Sequence, residues 1–279
     1  MKSILRDLLP QKSPLVMGIL NATPDSFSDG GRFVQRGNAL TQAQAMIEQG
    51  ADIIDIGGES TRPGAAEVSV QQELDRVIPL IEAIVDTQIA ISIDTSKAEV
   101  MREAIKAGAV MVNDVRALQE EGALEVVAET DVDVCLMHMQ GQPRTMQQAP
   151  HYRNVTQEVL DFLLQRIKVC NKAGISSDRI CLDPGFGFGK TLQNNCQLMN
   201  DLQEFRKFKL PLLIGVSRKS MIGQILACEV DERLIGSLAA AQYAVQKGAK
   251  ILRVHDVKET VQMVKVFNAF ENGFSHNNP

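Results

Sequence analysis

Polar side chains close a series of short apolar runs, and their types suit a binding site for a flat heterocycle and an anion. The runs end in Asn21, in Gly57-Gly58-Glu59-Ser60-Thr61-Arg62, in Asp94, in Asn113-Asp114, in His138, in Asp183 and in Ser217-Arg218-Lys219, while the last carries Arg253 and His255. Asp94, Asn113 and Asp183, with Lys219, offer the acceptors and donors that an amino-amide edge requires. Arg62, Arg253 and His255 form an anion clamp of the kind that holds phosphates. Arg253 and His255 are two apart and so face the same side of a strand. Asn21 can lend a neutral oxygen to a hard cation such as Mg2+, which commonly keeps waters and substrate phosphate oxygens.

Each residue alone has a plainer reading as a turn residue or helix cap, because Asx side chains suit strand ends. For Asp114 that reading is preferred, since it points away from Asn113 along a strand. For the whole set it is poor, because polar groups terminate nearly every run. A glycosidase carboxylate pair would leave the cations unexplained. The stretch Asp183-Pro184-Gly185-Phe186-Gly187-Phe188-Gly189-Lys190-Thr191 ends like a phosphate-binding loop, yet Pro184 stands where that pattern needs glycine. It reads instead as a glycine-rich loop that approaches a ligand, with Phe188 available for stacking.

The elements behind these residues alternate. The apolar runs are Leu15–Leu20, Asp52–Ile56, Ile89–Ile93, Val110–Val112, Val132–Met137, Arg179–Leu182, Leu212–Val216 and Ile251–Val254. Amphipathic stretches lie between them: Ala39–Gln49, Val70–Val85, Lys97–Ala107, Val155–Lys172, Leu234–Lys247 and Val257–Phe270. Pro79 predicts a kink or split in the second of these. Gly50, Gly108, Gly174 and Gly248 are placed to end helices, and Ser69–Gln72 and Ser96–Glu99 have capping-box spacing. About eight strand-then-helix units favour one closed α/β (β/α)8 barrel of parallel strands over an open doubly wound sheet. One domain over 1–279 is expected, with its core at about 14–270 and a frayed tail. In a barrel the carboxyl ends of the strands form the catalytic face, so the polar set converges on one mouth.

Composition narrows the partners. The chain has 279 residues, 44% hydrophobic and 23% charged, and a net charge of −5, which argues against nucleic acid or an anionic membrane as partner. No apolar run is long enough for a membrane span, and Met1–Pro10 does not read as a secretory signal. The five cysteines are an odd number without CxxC pairing; Cys135 and Cys181 read as buried hydrophobes in a reducing, cytoplasmic compartment.

Longer motifs point to a family. Gly18-Ile19-Leu20-Asn21-Ala22-Thr23-Pro24-Asp25-Ser26-Phe27-Ser28-Asp29-Gly30 and Gly50-Ala51-Asp52-Ile53-Ile54-Asp55-Ile56-Gly57-Gly58-Glu59-Ser60-Thr61-Arg62-Pro63-Gly64 resemble the two signatures of the dihydropteroate synthases. The resemblance continues through Ser92-Ile93-Asp94-Thr95, Val112-Asn113-Asp114, Asp183 to Lys190, Ser217-Arg218-Lys219-Ser220 and Arg253-Val254-His255-Asp256, and so spans nearly the whole chain. It implies a folate-synthesis transferase that joins 6-hydroxymethyl-7,8-dihydropterin pyrophosphate to p-aminobenzoate, and a sulfonamide target. It further implies that Asp94, Asn113, Asp183 and Lys219 hold the pterin. Arg253, His255, Asn21 and Thr61 would contact the pyrophosphate or its Mg2+ cofactor, with Asn21 the metal ligand and Arg62 on a mobile loop. Phe27, Pro63, Phe188 and Ser220 would line the p-aminobenzoate pocket, and a homodimer is expected. The catalytic set implied is Asp94, Arg62, Lys219, Arg253 and His255. Two rivals are a pterin-binding methyltransferase domain that serves a corrinoid partner, and a silent paralogue. The first does not need the Thr61-Arg62-Pro63 loop, and the intact Asn21, Arg62, Lys219 and His255 set speaks against the second.

Overall fold

A computed structural model describes residues 3–22, 32–60, 67–142 and 145–273, with the side chains of 32–36 and 272 excepted. Its eight strands are β1 (Leu15–Asn21), β2 (Ile53–Gly57), β3 (Ala90–Asp94), β4 (Met111–Asp114), β5 (Asp133–Met137), β6 (Ile180–Asp183), β7 (Leu213–Ile214) and β8 (Ile251–Val254). All pair in parallel, in the order β6-β5-β4-β3-β2-β1-β8-β7. A single parallel bridge between Leu182 and Leu212 joins the two ends of that order. The result is the expected (β/α)8 barrel. Its strands are buried on both faces, which explains why they read as unbroken apolar runs rather than as alternation.

The helices are α1 (Arg32–Glu48), α2 (Val70–Ile84), α3 (Ala98–Ala107), α4 (Ala123–Ala128), α5 (Val155–Lys172), α6 (Leu192–Asn200), α7 (Ser220–Leu226), α8 (Leu234–Lys247) and α9 (Val257–Asn272). Two apolar cores result. The larger lies between sheet and helices and includes Leu20, Ile54, Ile81, Val100, Leu163 and Phe205. The smaller fills the barrel itself with Met17, Ile53, Met111, Cys135, Cys181, Leu213 and Ile251. Ile4 and Leu5, from a single π-helical turn at Ile4–Leu8, cap that inner core at the amino-terminal end. Buried Asp133 holds the turn in place, accepting from Leu5 N at 3.0 Å and from Ser3 Oγ at 2.8 Å.

Some local expectations are met and others are not. The capping box at Ser69–Gln72 forms, and all four helix-ending glycines have positive φ. Pro79 does not split α2, which runs unbroken from Val70 and turns into a 3-10 segment only at Val85–Thr87. Its apolar face, with Val77, Leu80, Ile81 and Ile84 buried, holds the helix to the core past the missing N–H. Ser96 does not cap α3. The N-cap is Lys97, whose side chain makes no capping bond, and Ser96 Oγ donates to Asp114 instead.

Candidate active site

The inward-facing polar residues lie at the carboxyl end of the barrel. Along the rungs, Asn21 stands beside Gly57, Gly57 beside Asp94, and Asp94 beside Asn113, all in parallel register. Asp183 ends β6, Lys219 is the N-cap of α7, and His255 follows β8. The lumenal direction of the strand residues follows from alternation, and Asp94, Asn113, Asp183, Lys219 and His255 keep their polarity there because each meets a partner.

Arg253, in β8, is the hub. Its Nε donates to Asp55 Oδ2 at 2.6 Å and its Nη2 to Asp94 Oδ2 at 2.6 Å. Asn113 Nδ2 donates to the same Asp55 oxygen at 3.0 Å. Burial pulls the Arg253 guanidinium down, but the Asp55 and Asp94 charges outweigh it and hold it above its ordinary value. Burial drives Asp94 the other way, from 3.8 to about 7, against Arg253 and with help from the charges on Asp55, Glu73 and Asp114. The sequence paired Arg253 with an incoming anion. In the folded chain it already meets two of the protein's own carboxylates.

A second group lies across the mouth. Asp183 Oδ1 accepts from Gly185 N at 2.7 Å, and burial raises its carboxyl despite the Lys219 ammonium. Lys219 Nζ donates to Phe186 O and sits 4.7 Å from the centre of the Phe188 ring. Burial lowers this lysine to about 8, with Asp183 opposing the fall. His255 is set by Ser217, whose Oγ accepts from His255 N at 3.2 Å and lies 3.1 Å from Nδ1. Phe188 is half-buried and Ser220, the first residue of α7, is exposed.

The glycine-rich loop is moulded onto the end of β5. A Cβ on Gly185, at φ +72, would sit 1.8 Å from His138 O, and one on Gly189 would sit 2.4 Å from Gln140 O. Buried Lys190 draws the loop together: its Nζ donates to Gly185 O at 2.8 Å and Phe188 O at 3.1 Å, and lies 3.0 Å from His138 Nδ1. Burial and the Lys190 charge take His138 down to about 2, which favours a neutral ring at this strand end. Asp114 likewise serves the scaffold. Besides Ser96 it accepts from Arg116 N at 2.8 Å and Leu118 N at 2.7 Å.

The structure thus brings together Asp94, Asn113, Asp183, Lys219, Arg253, His255 and Phe188 around one mouth, with Asn21 on the adjoining rung. Phe27, Thr61, Arg62 and Pro63 lie outside the described residues. Asp55 and Lys190 were missed as members of the constellation. The signal for Asp55 was a carboxylate inside an otherwise apolar strand, Ile53-Ile54-Asp55-Ile56.

Residues 17–255 match the family described as pterin binding enzyme. Dihydropteroate synthase from Escherichia coli strain K12 is 58% identical over 257 residues, which cover 92% of this chain and 91% of that protein. The chain belongs to the dihydropteroate synthase family. Solved structures of the family agree with the fold. The Yersinia pestis dihydropteroate synthase in complex with a sulfonamide drug superposes with TM-score 0.90 at 52% identity, covering 98% of this chain and 99% of that one. The Xanthomonas albilineans dihydropteroate synthase with 4-aminobenzoic acid gives TM-score 0.89 at 48% identity, covering 93% and 94%. As a dihydropteroate synthase family member the chain is an enzyme of the transferase class.

Proposed function

We propose that the barrel mouth condenses 6-hydroxymethyl-7,8-dihydropterin pyrophosphate with p-aminobenzoate, giving 7,8-dihydropteroate and pyrophosphate. The observation that carries this reading is the convergence of Asp94, Asn113, Asp183 and Lys219 on one lumen end, arranged around Arg253. Those four hold the pterin edge. Arg253 and His255 face the pyrophosphate with Thr61 and Arg62, and the arylamine pocket draws on Phe27, Pro63, Phe188 and Ser220.

The reaction breaks the bond between the exocyclic methylene carbon and the pyrophosphate oxygen and forms a carbon–nitrogen bond to the arylamine. The amine is neutral near pH 7, so it attacks without a strong base, and its proton is lost to solvent afterwards. The burden is the leaving group and the positive charge that grows on the pterin. Asp94 and Asp183 stabilise that charge from one side, while Arg62, Arg253 and His255 receive the departing anion. Ser220, at the start of α7, helps backbone N–H groups receive the arylamine carboxylate.

Asn21 suits Mg2+, because that ion takes few protein ligands and fills its shell with waters and phosphate oxygens. Among the described residues no cluster of three His, Cys, Asp or Glu offers a separate metal cage. When bound, the ion would offset charge on the pyrophosphate. We further propose a homodimer through α7, α8 and α9. These adjacent helices expose Ile225, Leu226, Ile235 at 73%, Val266 and Phe270 at 84%. A cytoplasmic location fits the chain's free cysteines.

The test is pyrophosphate release from the two substrates by the purified chain with and without Mg2+. Release that needs both substrates and the metal supports the reading. Pterin binding without release would overturn it in favour of a silent paralogue. Sedimentation at micromolar concentration decides the dimer, and a monomer there would refute it.

A further inference from the structure

The resemblance gives Asp55 no role. It is fully buried at 0% exposure, between Ile54 and Ile56 in β2. Its rung partner is Ser92, whereas Gly57 is the partner of Asp94, so Asp55 lies two residues deeper in the barrel than Asp94. That is about 6–7 Å of strand. From there Oδ2 accepts from both Arg253 Nε and Asn113 Nδ2, at 2.6 and 3.0 Å, while Oδ1 meets no donor among the described residues.

Asp94 Oδ2 also accepts from Arg253, at Nη2 and 2.6 Å, so two carboxylates hold the one guanidinium. A second buried carboxylate with one bare oxygen is costly. What it adds is direction. Held at Nε and at Nη2, the guanidinium cannot rotate about its axis and its plane is fixed between β2 and β3. An ionised carboxylate only accepts, so Asn113 must turn its amino group toward Asp55 and its carbonyl oxygen away.

We propose that Asp55 is a positioning residue for the pterin site: it fixes the plane of Arg253 and dictates which way the Asn113 amide faces the ligand. This rests on reading the mouth as a pterin pocket. Asp55 also adds its charge to the surroundings of Asp94, which is faced by Arg253 from β8, Glu73 from α2 and Asp114 from β4, with Lys219 feeling the Asp94 charge in turn. Removing the Asp55 charge therefore lowers the pH at which Asp94 gains its proton.

The test is Asp55→Asn in the full chain, an isosteric change that keeps one acceptor and lets the Asn113 amide flip. Affinity for 6-hydroxymethylpterin should fall by roughly tenfold or more, the equivalent of one charge-assisted bond. The pH midpoint of pterin binding should move downward. A purely structural role would lower the melting temperature and leave that midpoint in place. Unchanged affinity and midpoint in a folded variant overturn the proposal. If the variant does not fold, the wild type decides. With 15N-labelled asparagine, the Asn113 side-chain amide should show a carboxylate-bonded proton that keeps its shift when the pterin binds. A large change on binding would mean that the ligand orients the amide, which overturns the proposal. A wild type that binds no pterin would overturn the functional reading and this proposal with it, whereas binding that Asp55→Asn leaves untouched overturns this one alone.

Discussion

Replacing Asp183 by asparagine isolates charge from shape at the proposed pterin edge. The loop should survive, because an amide oxygen can still accept from Gly185 N, now 2.7 Å from Asp183 Oδ1. The ligand edge suffers, since a carboxylate offers only acceptors and an amide must place an NH2 group among the ligand's donors. A hydrogen bond to a charged group contributes about 1.5–3 kcal/mol, and a neutral one about 0.5–1.5 kcal/mol. The difference, with one mismatched contact, comes to about 2 kcal/mol, or roughly thirtyfold in affinity. Lys219 responds as well. Burial already lowers it to about 8, and Asp183 is the first charge opposing that fall. Without that charge the lysine loses its proton earlier, so pterin affinity should begin to decline at lower pH than in the wild type. Calorimetric titration with 6-hydroxymethylpterin across pH, with circular dichroism to confirm folding, measures both effects. Affinity within about threefold of wild type, with no shift in the alkaline limb, would refute the assignment of Asp183.

Asn21→Ala should weaken binding of the pterin pyrophosphate in Mg2+ while leaving the bare pterin nearly unchanged; equal losses by calorimetry would remove Asn21 as metal ligand. Asp94→Asn tests the raised carboxyl. Because the native group binds its proton between 3.8 and about 7, where the unfolded one has lost it, its contribution to stability falls as pH rises through that window. The variant should therefore gain in melting temperature on the wild type from about pH 4 to about pH 7, and a constant difference in scanning calorimetry would count against the shift. Gly185→Ala should cost about 1–2 kcal/mol for the left-handed backbone, and more for the 1.8 Å approach to His138 O, and should also weaken pterin binding. A normal melting temperature would show that the loop has room to move.

The barrel was readable because its signals are local. Strands buried on both faces appear as continuous apolar runs, and Val155–Lys172 and Leu234–Lys247 have periodicity enough to set both helix ends. α6 escaped notice because its sequence, Leu-Gln-Asn-Asn-Cys-Gln-Leu-Met-Asn, is mostly polar and held by its Thr191 cap. α7 is only seven residues long, too short to show a period. The site divides in the same way. Residues at strand ends sit in contiguous motifs, so Asp94, Asn113 and Asp183 could be grouped from the sequence. The junction of Arg253 with Asp55 spans 198 positions and forms only when β8 meets its neighbours across the barrel. Ser96 shows the converse, since its spacing promised a local cap and a carboxylate from the next strand took its hydroxyl instead.

The seam of the barrel has a consequence for how ligand and scaffold depend on each other. β7 has two residues, and β6 reaches it through one bridge, Leu182 to Leu212. Asp183 stands on one side of that join and Lys219 on the other. On the proposed assignment, a pterin held by both would act as a strut across the least-laced part of the wall. The substrate would then complete the scaffold as well as occupy it, and the backbone amides that meet across the join, Leu182 N on Pro211 O and its neighbours, should be the ones whose hydrogen exchange slows most on loading. Substitutions that loosen β7 would be silent in the loaded enzyme and visible in the empty one.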